Sequence, residues 1–86
     1  MTATVTLFGR PDCHLCDDAE RLLRELQAKF SFGLVKVSIE SDPKLEHQYR
    51  WAIPVVAVEG REVARAPIRA ASLEAALREA LGQRQR

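Results

Sequence analysis

Hydrophobic and polar positions along the 86-residue chain follow two rhythms, and each change of rhythm marks an element. Thr4 to Phe8 reads TVTLF, β-branched and aromatic, and stops at Gly9, which predicts a first strand. Gly9-Arg10-Pro11-Asp12 is a turn signal. From about Cys13 to Lys29 the period lengthens to three and four. Leu15, Ala19, Leu22, Leu23, Leu26 and Phe30 make one apolar stripe, the mark of an amphipathic helix. Asp17/Arg21, Glu20/Arg24 and Glu25/Lys29 set acid before base four residues apart on its wet side, each pair worth about 0.2–0.5 kcal/mol.

Val35, Val37 and Ile39 then alternate with Lys36, Ser38 and Glu40, a strand with one face on the core. Asp42-Pro43 is an N-cap followed by proline at the first helical position, and a short helix to about Arg50 turns Leu45 and Tyr49 inward. Pro54 opens Val55 to Val58, a continuous apolar run that predicts a central strand. Glu59-Gly60 separates it from Arg61 to Ala64, the pattern of a hairpin. Ser72 is the expected cap of a last helix whose inner face is Leu73, Ala76, Leu77, Ala80 and Leu81, ending at Gly82. The order is βαβ-α-ββα. It implies an α/β fold, a four-stranded mixed sheet flanked by three helices, with one domain over 1–82 and a polar tail over 83–86.

Composition narrows the function. With 47% apolar and 29% charged residues the chain is an ordinary globular domain. Thirteen Lys and Arg against twelve Asp and Glu give +1, so bulk electrostatics point to neither nucleic acid nor a membrane surface. No apolar run approaches the ~20 residues of a membrane helix. The start, Met1-Thr2-Ala3-Thr4-Val5, has no basic segment of the signal-peptide kind, which makes the cytoplasm the expected address. In that compartment a cysteine pair is more often catalytic or metal-binding than a structural staple.

The pair is Cys13-His14-Leu15-Cys16, where the first strand gives way to the first helix. Three-residue spacing brings the two Cα atoms within disulfide reach. At the helix start, unpaired N–H groups and the positive end of the dipole favour an anion, and a thiolate is that anion. Cys16 lies a turn deeper, toward Ala19 and Leu23. Cys13 is then the attacking thiol and Cys16 the resolving one. Arg10 can set a cation beside the thiolate, whereas Asp12, Asp17 and Asp18 act against it. Other readings stay open. The pair is half of a four-ligand zinc site, with His14 and His47 as remaining ligands, or it belongs to a binding module that holds a metal or iron–sulfur centre between two chains.

Phe8-Gly9-Arg10-Pro11-Asp12-Cys13-His14-Leu15-Cys16, an amphipathic helix, and then Ile53-Pro54-Val55-Val56 together resemble the glutaredoxin-like proteins of the thioredoxin superfamily, in particular their small glutaredoxin-like group. The resemblance covers nearly the whole chain. It implies a thioredoxin-like (glutaredoxin-type) fold. It also implies a cis Pro54 beside the Cys13 sulfur, and an Ile53 backbone that pairs with an extended peptide or glutathione. The implied activity is dithiol reduction of disulfides or glutathione mixed disulfides in cell redox homeostasis and electron transport. The implied partners are protein or small-molecule disulfides, with glutathione as candidate co-substrate and no resident cofactor or metal. A monomer is expected. Two departures stand out. His14 occupies the position where dithiol glutaredoxins carry proline, and Ala64-Arg65-Ala66-Pro67-Ile68-Arg69 replaces their Gly-Gly pair and aspartate, part of the glutathione-binding surface. Arg65 and Arg69 are the residues there that can meet a carboxylate. Trp51 is expected in the core, with a wall of the site beside Pro54 as the other reading.

Overall fold

The computed structural model describes residues 2–82, so the expected tail over 83–86 lies outside the described residues. Strand β1 (Ala3–Gly9) leads to helix α1 (His14–Leu26) and strand β2 (Phe32–Ser38). A single 3-10 turn (Ile39–Ser41) and helix α2 (Pro43–Tyr49) follow. Strands β3 (Val55–Val58) and β4 (Arg61–Arg65) form a hairpin, and helix α3 (Ala70–Gly82) comes last. The sheet order is β2-β1-β3-β4. β1 runs parallel to β2 and antiparallel to β3, and β4 is antiparallel to β3. Among the described residues no helix is long and apolar enough to cross a membrane.

Alternation along the strands divides the core into two layers. Val5, Leu7, Phe32, Val56 and Val58 face α1 and α3, and there they meet Leu23, Leu73, Leu77 and Leu81. Each of those leucines is at most 2% exposed, a burial worth about 1.5–3 kcal/mol apiece. The other face carries a smaller cluster of Ile39, Tyr49, Ala52 and Val55, joined by Phe8, Leu45 and Ile53. The Phe8 and Tyr49 rings lie 5.1 Å apart and clamp α2 to the last rung of β1. Asp42 caps α2 through Oδ1, which accepts the Lys44 N–H at 2.9 Å, with Pro43 at the first position as the sequence predicts.

Five expectations are corrected. β2 starts at Phe32, and its core side is Phe32 and Leu34, whereas Val35 is exposed. The seven-residue α2 covers only the Phe8–Val55 rung, and Val35 on the edge strand lies beyond it. α1 ends at Leu26, because Ala28 and Lys29 donate to carbonyls only three residues back, and the Gln27 side chain donates to the Phe32 carbonyl at 3.1 Å. Lys29 then pairs with Glu74 of α3 rather than Glu25. Arg21 likewise takes Asp18, not Asp17. Ser72 lies inside α3, whose first turn closes from the Leu73 N–H to the Arg69 carbonyl at 2.9 Å. Ala70 and Ala71 are strong helix formers and carry the helix past the serine. The hairpin turn has positive φ at both Glu59 (51°) and Gly60 (83°), the type I′ requirement, and a bulge between Val56 and Ala57 leaves Val63 as the extra residue of β4.

Candidate functional site at the cysteine pair

β1 delivers the chain to the end of the sheet, where Asp12 takes a left-handed conformation (φ 58°) that aspartate tolerates better than most residues. That bend aims Cys13 onto the start of α1. Cys13 is the N-cap, with extended φ −105° and ψ 107°, and its Sγ accepts the Cys16 backbone N–H at 3.2 Å. Sulfur thus fills the place usually held by a serine or aspartate oxygen. Its carbonyl accepts the Asp17 N–H at 3.0 Å, the first bond of the helix ladder. The two cysteines are joined as a disulfide, their Cα atoms 5.2 Å apart. Cys13 is half-buried and Cys16 is buried, as the one-turn spacing predicts.

Cys16 occupies the inward position of the first helical turn, and this corrects the expected stripe. Leu15 is turned out and 60% exposed, beside His14, whose Nε2 approaches the Asp18 carboxylate at 3.7 Å in solvent. Behind Cys16 stands Gly9. A Cβ built on Gly9 would meet the Cys16 Sγ at 2.9 Å and its Cβ at 3.1 Å. The last residue of β1 is therefore glycine for the sake of the sulfur, a role hidden behind its reading as a strand stop.

Cys16, Gly9 and Leu7 form the apolar part of a cleft of about 310 Å³ between α1 and the β2 edge. Arg10, Glu20 and Lys36 also line it. Arg10 is half-buried, and its Nε is enclosed without a hydrogen-bond acceptor among the described residues. Glu20 receives Lys36 and Arg24, each at 2.8 Å, and those hydrogen bonds, Lys36 first, hold its carboxyl below the usual range. So Arg10 shares a cleft with Cys16.

On the adjacent strand, Val55 opposes Phe8, which sets Pro54 and Ile53 at the same end of the sheet as Gly9 and Arg10. The Ile53–Pro54 bond is cis, as the resemblance implies, and so is Ala66–Pro67. The Ile53 N–H donates to the Tyr49 carbonyl at 3.1 Å. The Ala66 N–H donates to the Ala52 carbonyl at 3.2 Å and ties the loop before α3 to the segment before Pro54. Arg65 is forked onto Glu62, whose carboxyl it holds low, while Arg69 is exposed at the start of α3. Trp51 is not in the core: it is 92% exposed. Tyr49 at the end of α2 and Ala52 and Ile53 after it take the inward positions, and Trp51, two residues from Tyr49, falls on the opposite side. That spacing was the available signal.

A family model, the glutaredoxin-like domain (DUF836), matches residues 4–78. The chain belongs to that family. Solved structures agree. A structural-genomics target protein, XcR50 from X. campestris, is 38% identical, with 87% of this chain and 96% of that one covered and a TM-score of 0.73. Protein Ne2328 from Nitrosomonas europaea is 27% identical over 87% and 91%, at 0.75. Thioredoxin 2 from Pseudomonas aeruginosa PAO1, in its reduced form, is 30% identical over 95% and 82%, at 0.69. The glutaredoxin-like chain thus has the α/β thioredoxin fold, and its cysteine pair at disulfide distance fits a redox role.

Proposed function

We propose that the protein is a thiol–disulfide oxidoreductase in which Cys13 attacks and Cys16 resolves. The observation that carries this reading is the N-cap sulfur. Cys13 Sγ accepts the Cys16 N–H at a helix start, where a developing thiolate gains a charge-assisted hydrogen bond and the favourable end of the dipole. The Cys13 thiolate attacks one sulfur of a substrate disulfide, and the other sulfur leaves as a thiolate and takes a proton. The Cys16 thiolate then attacks Cys13 Sγ and expels the remaining substrate thiolate. Two electrons have passed to the substrate, and the Cys13–Cys16 disulfide remains. The burial of Cys16 suits the second step and not the first, since only a sulfur already linked to Cys13 comes within its reach.

Protein or small-molecule disulfides are the oxidants of this reading, acting on a cytoplasmic monomer. Glutathione is the candidate thiol that restores the dithiol, with Arg10, Ile53 and Pro54 as the residues beside it. Arg65, held by Glu62, is not available to such a ligand without breaking that fork. Disulfide reductase activity measured with glutathione, glutathione reductase and NADPH tests the proposal. Cys13→Ala should abolish turnover. Retained activity in that variant would overturn it, and stoichiometric zinc or iron in freshly purified protein would favour a binding module instead.

A further inference from the structure

We propose that Arg10 is the counter-ion of the Cys16 thiolate in the reduced protein, so that it promotes the resolving step. This rests on the oxidoreductase reading above. The Arg10 Nε is enclosed, and no acceptor among the described residues reaches it. An enclosed donor without an acceptor is costly, and more so on a cation. The disulfide offers it no charge, because Cys16 Sγ is bonded to Cys13. Reduction changes that. Gly9, Arg10 and Cys16 line one cleft. A Cβ on Gly9 would stand 2.9 Å from the Cys16 Sγ, and Arg10 is the next residue along the chain. The guanidinium therefore springs from backbone that passes beside the sulfur.

Cys16 needs such a partner. It is 6% exposed, and burial disfavours the charged form of a thiol. The N-cap position that favours an anion belongs to Cys13, whose Sγ takes the Cys16 N–H. The other charged residues of the cleft do not fill the role. Lys36 is bound to Glu20 at 2.8 Å, and Glu20 also holds Arg24. Asp12 and Asp17 are exposed and carry the wrong sign. In the resolving step the Cys16 thiolate attacks Cys13 Sγ. The S–S bond between the two cysteines forms, the bond from Cys13 to the substrate sulfur breaks, and the substrate thiolate leaves and takes a proton from water. Arg10 exchanges neither electrons nor protons. It holds the Cys16 charge until the bond closes, and closure returns the Nε to the unpartnered state seen here.

The test titrates each thiol alone, by the Cβ carbon NMR shift of the remaining cysteine in Cys13→Ser and Cys16→Ser proteins, with and without Arg10→Met. Loss of the guanidinium should raise the Cys16 midpoint by about one pH unit and the Cys13 midpoint by less. Arg10→Gln should act like Arg10→Met, and Arg10→Lys should restore part of the Cys16 shift. With both cysteines present, dithiodipyridine, a neutral disulfide, releases one thiopyridone when Cys13 attacks and a second when Cys16 resolves. Below both Cys16 midpoints, Arg10→Met leaves about ten-fold less thiolate, each about three-fold more nucleophilic, so the second release should slow about three-fold. Above both midpoints the variant should instead resolve about three-fold faster. A loosened loop does not reverse its effect with pH, and equal thermal midpoints of the oxidised proteins check folding. A Cys16 midpoint that does not move, or one that moves no more than that of Cys13, would overturn the proposal while leaving the oxidoreductase intact. Wild-type protein that stops after one thiopyridone has no resolving step, which refutes the oxidoreductase reading and this inference with it.

Discussion

Replacing Gly9 by alanine places a methyl 2.9 Å from the Cys16 Sγ, closer than a carbon and a sulfur can approach. The sulfur cannot swing aside freely, because it belongs to a buried helical residue bonded to Cys13. Overpacking of this kind costs about 1–3 kcal/mol, against which alanine recovers about 0.5–1 kcal/mol over glycine in a strand. The net loss centres on roughly 1–2 kcal/mol, and for a domain of this size the thermal midpoint should fall by roughly 4–16 °C. The clash is with the sulfur in its disulfide position, whereas a free thiol can rotate away. The oxidised form therefore suffers more, and the reduction potential should rise. If half to all of the penalty is specific to the disulfide, the rise is about 10–40 mV, since 30 mV corresponds to about 1.4 kcal/mol for two electrons. Calorimetry of both redox forms and titration in glutathione buffers measure the two effects. Combining Gly9→Ala with Cys16→Ala removes the sulfur but keeps the Cβ 3.1 Å away, so the stability penalty should shrink without vanishing. A Gly9→Ala protein as stable as its parent, or a penalty undiminished without the Cys16 sulfur, would show that the sulfur does not exclude a side chain at position 9.

Other outcomes follow from the same structure. Asp42→Ala removes the N-cap of a seven-residue helix and should cost about 1 kcal/mol, with Asp42→Asn retaining most of it, as urea unfolding will show. Glu20 is held below its ordinary 4.5 by Lys36 and Arg24, so its contribution is present above that value and is lost as pH falls through the lower folded value. Lys36→Met should flatten that acid limb and cost under ~1 kcal/mol at pH 7, read from unfolding curves at pH 7 and pH 3. In the reduced protein, iodoacetamide at neutral pH should label Cys13 well before Cys16; peptide masses showing the reverse order would contradict the assigned roles.

Most of the architecture was legible in local patterns. The alternation through Phe8, the cap at Asp42 followed by Pro43, and Glu59-Gly60 each act within a few residues, so each survives folding unchanged. Local pattern and structure part where a distant element decides. Which face of β2 is covered depends on how far α2 reaches, and α2 stops short of Val35. Ser72 is a good cap that stronger neighbours override, because the alanines before it prefer the helix. At the site, Cys13 and Cys16 declared themselves by spacing and by position after a strand. Gly9 did not, since its reason is a sulfur seven residues away, brought close only when α1 folds back on β1. For Trp51, hydrophobicity suggests burial, while its offset from Tyr49 turns it outward.

Whether Cys13 and Cys16 form a reversible dithiol–disulfide couple is decided by one titration. The protein is equilibrated in a series of glutathione redox buffers, quenched in acid, and weighed intact. The expected result is a reversible loss of two hydrogens, with a midpoint between about −270 and −120 mV. Cys13→Ser should abolish the transition, and Cys16→Ser should trap a glutathione adduct on Cys13. Thiols that stay reduced across the whole series, or a glutathione adduct found on Cys16 in place of Cys13, would contradict it.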